Sequence, residues 1–350
     1  MDLIDASPVM HTFELGSPPW QTFDPFLFCV HHDDAYPTGN GELGPDSARL
    51  KGRPIGSDFT GTDGWSMYHG STVPGFPQHP HRGFETVTFV RQGYVDHSDS
   101  LRAVARYGAG DVQWLTAGAG IVHAEMFPLL REDEGNHMEL FQIWMNLPAA
   151  DKMADPHFSM LWAEDIPVFH EIDANGRRAT ITVVAGAIGT HVPPNPPPAS
   201  WASKAQANVA IWRVALESDA SWTMPTAPDG TIRTVYVFEG GGIDLSGHAA
   251  TLGSGVVLDA TRSVTATAGD EAATFLVLQG RPIGEPVARY GPFVMNDRAG
   301  IEQAFQDYQQ TQFGGWPWPT DDPTHGHVTA RFARRPDGSL ELPPDTSAVG

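Results

Sequence analysis

The sequence predicts an all-β protein built from two related domains, and three observations predict it. Glycine and proline are frequent, 37 and 30 of 350 residues, and are spread along the chain, which favours many short strands joined by turns. Between these breaks, runs rich in β-branched and aromatic residues recur, the composition of pleated, half-buried strands. Finally, Thr86 to Gly93 (TVTFVRQG) resembles Thr234 to Gly241 (TVYVFEGG), and each is followed by a turn and a Gly-x-Gly opening, at Gly108 to Gly110 and at Gly253 to Gly255. This reads as an internal duplication. A length of 350 residues suits two domains, and a hydrophobic content of 41% supplies their cores.

Taken in order, residues 1–60 read as an irregular arm rich in Pro, Gly and Asp, with strand patterning beginning near Trp65. Phe84 to Val90 is a strand, ended by Gln92-Gly93. Leu101 to Tyr107 and Asp111 to Leu115 are further strands, parted by the turn at Gly108 to Gly110. Met138 to Leu147 is longer and apolar on both faces, as suits a barrel wall covered on its outside. Asp151 to Ile166 is mixed and polar and reads as a connection. A second β-rich region holds Ala179 to Ala185, Asn208 to Leu216, Thr231 to Phe238, Gly255 to Asp259 and Ala273 to Leu278, with a stiff proline loop at Pro193 to Pro198. Asn296-Asp297 opens a helix near 297–310, with Ile301, Ala304, Phe305 and Tyr308 on one face. The tail after Gly314 reads as extended loop. The domains expected are therefore 1–165 and 166–350.

Composition narrows the function. The formal charge of −21, without a Lys/Arg cluster, argues against nucleic-acid and anionic-membrane partners. The single cysteine, Cys29, forbids an intrachain disulfide and sits in an apolar run, where a thiol packs as a small hydrophobe. No basic leader precedes an apolar stretch and no run is long enough to span a membrane, so a soluble cytoplasmic protein is expected.

The chemistry lies in two short patterns. His79-Pro80-His81 on an extended strand presents both imidazoles on one face, because strand side chains alternate with period two. Composition alone supplies roughly 0.6 such pairs, and His325-Gly326-His327 in the tail is read as an incidental one. His123-Ala124-Glu125 has the same spacing and follows His81 by 42 residues, room for two or three strands. Side by side, the two patterns offer three imidazoles and a carboxylate. That set suits Fe(II), Mn(II), Ni(II), Cu(II) or Zn(II) and leaves coordination positions open. Glu85 competes as the carboxylate by parity with His79 and His81, but Gly83 interrupts the alternation. Glu125 is retained as ligand and Glu85 as a group that orients a ligand imidazole. His31, His32, Asp33 and Asp34 read as a polar turn, with a cap over the pocket mouth as the other reading. Phe76, Phe84, Trp114, Met126 and Phe127 either line a pocket or fill the core.

The stretch from His79 to Thr88, the stretch from Gly110 to Met126, Leu140 to Pro148 and Gly291 to Asn296 together resemble the pirin family of the cupin superfamily, over about residues 65–310. The resemblance implies two antiparallel cupin-type β-barrels packed face to face, with a short C-terminal helix and an extended tail. It implies iron held by His79, His81, His123 and Glu125 in the N-terminal barrel, and a C-terminal barrel without metal. It also implies a quercetin 2,3-dioxygenase type of activity, an aromatic flavonol and O2 meeting at the metal, with Glu125 as base as well as ligand. The alternative it implies is a metal- or redox-dependent regulator that binds a protein partner. The longer arm and tail depart from the family pattern.

Overall fold

The structure, a computed structural model, describes residues 7–345. Those residues form strands, short 3-10 turns and a single α-helix, and they divide into two compact units.

One unit comprises residues 30–164 together with those from 285 onward. A five-stranded sheet runs His157–Leu161, Val112–Thr116, Phe84–Gln92, Asn136–Asn146 and Phe26–Tyr36. A six-stranded sheet runs Leu340–Glu341, Phe332–Arg334, Val104–Gly108, Tyr94–Asp99, Ile121–Met126 and Gly75–His81. Val90, Leu115 and Leu140 of the first sheet pack with Val95, Tyr107 and Ile121 of the second, so the core lies between the sheets. The helix Arg298–Thr311 is capped by Asp297, whose carboxylate accepts from Gly300 N. It buries Ile301 and Ala304 against Phe293, with Phe305 and Tyr308 alongside, the face the sequence pattern predicts.

The other unit comprises residues up to Cys29 and 165–284. Its seven-stranded sheet runs Val9–Glu14, Ser254–Asp259, Ile232–Gly240, Ala273–Gly280, Ala210–Leu216, Arg178–Ala185 and Val168–Ile172. Opposite lies a four-stranded sheet of Ser221–Met224, Val264–Ala268, Ile243–Leu245 and Ala249–Ala250. The duplication is visible in the strand orders. Phe84–Gln92 lies between Val112–Thr116 and Asn136–Asn146, just as Ile232–Gly240 lies between Ser254–Asp259 and Ala273–Gly280. The register differs from the letter match, however. Val90 faces the first core, whereas Val235 and Val237, not Tyr236, face the second. The two strands bulge at matching places, between Val90 and Gln92 in one and between Val237 and Glu239 in the other. Matching these bulges sets Val90 with Val237 and Thr86 with Arg233.

Three expectations are corrected. The arm is not irregular: Val9–Glu14 pairs with Ser254–Asp259, and Phe26–Tyr36 forms a strand carrying His31 to Asp34, which are therefore no turn. The connection at 151–166 contains His157–Leu161, paired with Val112–Thr116. The expected domains are continuous in sequence, whereas the two compact units divide at 164/165 and each also takes in residues from the opposite chain end. Both chain ends cross over, because Val9–Glu14 completes the second unit's sheet while Phe332–Arg334 pairs with Val104–Gly108 in the first. In each case a strand distant in sequence covers a sheet edge that would otherwise stand open. No helix among the described residues is long and apolar enough to cross a membrane.

Candidate metal centre

The strands Gly75–His81 and Ile121–Met126 pair antiparallel, with Phe76 opposite Glu125 and His79 opposite His123. Three steps on one strand match two on the other, a bulge between Phe76 and His79. Without it His79 would meet Val122, so the bulge puts the two imidazoles on one face. Gly75, at φ +131°, permits the close pairing that follows, since a Cβ there would stand 2.5 Å from the Glu125 carbonyl oxygen.

His79, His81 and His123 converge, each with a ring nitrogen within 4.8 Å of the others. Their ring centroids lie 4.4 to 4.9 Å apart. Burial lowers His79 to about 4 and holds His81 and His123 well below the usual histidine range, with His79 further opposing charge on both of the others. At neutral pH all three are uncharged, the form that offers a lone pair to a metal.

Hydrogen bonds assign the tautomers of two of them. The Nδ1 of His79 lies 2.9 Å from the Pro77 carbonyl and that of His81 3.4 Å from the Pro292 carbonyl. A carbonyl only accepts, so Nδ1–H donates and each Nε2 keeps its lone pair free. Both ring nitrogens of fully buried His123 lack a hydrogen-bond partner among the described residues. A buried imidazole left so costs roughly 1–3 kcal/mol for the unmade bond, which coordination would offset. The donor set therefore fits a divalent metal of the borderline class, and the triad can hold one.

Glu125 stands beside the triad rather than within it. Its Oε2 is 3.9 Å from His123 Nε2, while Oε1 accepts from Thr88 Oγ1 at 3.0 Å and Tyr107 OH at 3.4 Å. Burial raises its pKa. Glu85 is placed otherwise than expected. It is fully buried and accepts from Thr116 Oγ1 at 2.7 Å, on the face of its strand opposite to Phe84 and Thr88. Those two face the site: Phe84 stacks edge-on to His81 at 5.0 Å, and Thr88 serves Glu125. The groups that orient the imidazoles are the Pro77 and Pro292 carbonyls.

Of the aromatic candidates, Phe76 lies 6.4 Å from His79 and is half-buried. Trp114 pairs with Val87, a row on the far face of its sheet. Phe127 joins the core and Met126 packs with Leu43 and Val73. Trp144, 5.3 Å from His81, is an aromatic neighbour the sequence reading missed. It also missed His97, which pairs with Glu125 across the strand boundary and sits 5.5 Å from His123. Gln113 Nε2 donates to His97 Nδ1 at 2.9 Å, so Nε2–H points to Asp99 Oδ2 at 3.1 Å. The signal was present as His97-Ser98-Asp99, the same i, i+2 spacing as the other two patterns. His325 is engaged elsewhere: its backbone N donates to Asp96 Oδ2 and its Nε2 to the His97 carbonyl, both at 2.8 Å.

Two β-sheet barrels in one chain, the first enclosing three imidazoles, define a bicupin. Residues 9–145 match the family described as Pirin, and residues 211–314 the Pirin C-terminal cupin domain. The pirin-like protein of Caulobacter vibrioides is 34% identical over 311 residues, covering 88% of this chain and 94% of that one. Pirin-1 of Arabidopsis thaliana is 36% identical, covering 70% and 80%. The crystal structure of quercetin 2,3-dioxygenase from Acinetobacter baumannii superposes with a TM-score of 0.67 at 28% identity, over 88% of this chain and 96% of that one. The chain belongs to the pirin family.

Proposed function

We propose that this pirin is an Fe(II)-dependent dioxygenase of the quercetin 2,3-dioxygenase type, acting on a flavonol or related aromatic hydroxyl compound. The observation that carries the reading is the triad of neutral imidazoles in the first barrel, two of them with Nδ1 committed to carbonyls. The structural likeness to the Acinetobacter baumannii quercetin 2,3-dioxygenase supports the substrate class. In this reading His79, His81 and His123 hold the ion, with Glu125 as fourth ligand or as base. When bound, the ion supplies Lewis-acid and redox chemistry at its open coordination positions.

The remaining work falls to the chain itself. The carboxylate of Glu125, raised by burial, is poised to take the proton of a substrate hydroxyl. Thr88 Oγ1 and Tyr107 OH hold its Oε1 in place. Phe76 and Phe84, beside His79 and His81, give an aromatic ring apolar walls to lie against. The test is reconstitution with Fe(II) without oxygen, addition of quercetin, then air. Flavonol loss well above a free-iron control, abolished by His79→Ala, is expected. Loss no faster than free iron, or unaffected by His79→Ala, contradicts the reading.

A further inference from the structure

The second barrel has an interior site of its own, with the opposite charge. Arg233 lies on the strand Ile232–Gly240 and shares its inward face with Val235 and Val237 of the core. It is fully buried. Its Nε and Nη2 both donate to Gln279 Oε1, at 2.8 and 2.5 Å, and Nη2 also donates to the Pro225 carbonyl at 2.7 Å. Nη1 donates to no group among the described residues. Burial pushes the guanidinium down to about 10, and no acidic neighbour raises it. A fully buried cation without a carboxylate, with two N–H bonds unmade, is costly and calls for a partner.

Arg233 lines a cavity of about 350 Å³, the volume of a small-ligand site. Half-buried Lys204 lines it too, and Trp212 and Ile188 supply apolar wall. None of the lining residues is acidic, in a chain with 42 acidic and 21 basic residues. The Trp212 ring is fixed by its Nε1, which donates to the Gly186 carbonyl at 2.8 Å, and the guanidinium carbon lies 5.6 Å from the ring centroid. In the first barrel the corresponding interior place is held by Thr86, the inward neighbour of Thr88 on its strand. The duplication has thus kept the place and exchanged a hydroxyl for a cation.

We propose that the mouth of the second barrel is a binding site for a small organic carboxylate. Its anionic end meets Arg233 Nη1 and its apolar body lies against Trp212 and Ile188. One unpaired buried charge in a largely apolar, acid-free cavity matches a monoanion, and a guanidinium edge matches a carboxylate in plane. This site is independent of the metal in the other barrel.

The test is calorimetric titration of the full-length chain with benzoate, and with benzamide as its uncharged counterpart. One saturable benzoate site per chain is expected, weakened at least about tenfold by Arg233→Gln and partly restored by Arg233→Lys, with benzamide unbound. No saturable benzoate binding by the unaltered protein overturns the proposal. Equal binding by Arg233→Gln, or benzamide binding as tightly as benzoate, overturns it as well. Crystals grown with 4-bromobenzoate need no variant: bromine in the cavity beside Trp212 supports the site, and bromine only elsewhere overturns it.

Discussion

His123 shows at the scale of one residue why the site suits a metal, since neither nitrogen of its buried ring has a hydrogen-bond partner among the described residues. The groups around the triad then determine how firmly it is held. Thr88 bonds both Glu125 Oε1 and Gln142 Oε1, at 3.0 and 2.7 Å, with one hydroxyl hydrogen to serve them. Thr88→Val keeps the shape and removes that link, so metal affinity measured by chelator competition is expected to fall roughly 10-fold with the fold intact. Asp58 gives a pH signature elsewhere in the same unit. Burial alone would raise its carboxyl, but hydrogen bonds from Met67 N, Arg53 and Thr60 outweigh burial and hold it at about 2. The unfolded chain therefore takes up that proton first. The stabilisation is complete above pH ~4 and is lost as pH falls towards ~2. Asp58→Asn should cost about 2 kcal/mol at pH 7 and progressively less in acid, by urea midpoints across pH; a penalty independent of pH contradicts this. The three imidazoles were legible because i, i+2 spacing maps onto one strand face. Glu85 was misread because Gly83, at φ +83°, separates strands of two different sheets, so parity does not carry across it. His97 was missed, although His97-Ser98-Asp99 has the same spacing, because its partner Gln113 stands on the opposite sheet and meets it only in the folded barrel.

At the scale of elements, strands with dense β-branched and aromatic patterning were read to within about two residues, as Phe84–Gln92 and Asn136–Asn146 show. The helix was legible too, since Asp297 and the apolar face after it are local signals. Strands of the arm and tail were not, because Val9–Glu14 and Phe332–Arg334 owe their form to partners more than 200 residues away. The tail is nonetheless tied down near the site. Trp318 Nε1 donates to the Asp99 carbonyl at 2.9 Å, and Gln78, next to His79, donates from its backbone to the Asp321 carbonyl at 2.7 Å. Arg331 bonds Asp111 at 2.7 Å and also pairs with Glu164. Ending the chain at Gly314 should therefore leave Val104–Gly108 as an open edge. Faster amide exchange in that strand, a lower thermal midpoint and weaker metal binding are expected. Unchanged exchange there would show that the tail strand does not protect the sheet.

For the whole molecule, crossing chain ends matter most. A cut at 165/166 leaves each unit short of a strand it needs, because residues up to Cys29 belong with 165–284 and those from 285 onward with 30–164. Fragments 1–165 and 166–350 should each fail to fold cooperatively alone and should do so when expressed together, as circular dichroism melts would record. A cooperative melt of fragment 1–165 by itself would contradict the interleaving. The duplication, by contrast, was legible in outline from the sequence, although its register was not. Letter similarity placed Thr88 on Tyr236, whereas the matching bulges place it on Val235. The central claim is that the first barrel holds one metal ion on His79, His81 and His123. Elemental analysis of the full chain, purified without a polyhistidine tag, tests it most directly. The account predicts about one divalent metal per chain, lost on His123→Ala while the circular dichroism spectrum is kept. No metal in the unaltered protein after exposure to Fe(II), or the same metal content in His123→Ala, would contradict it.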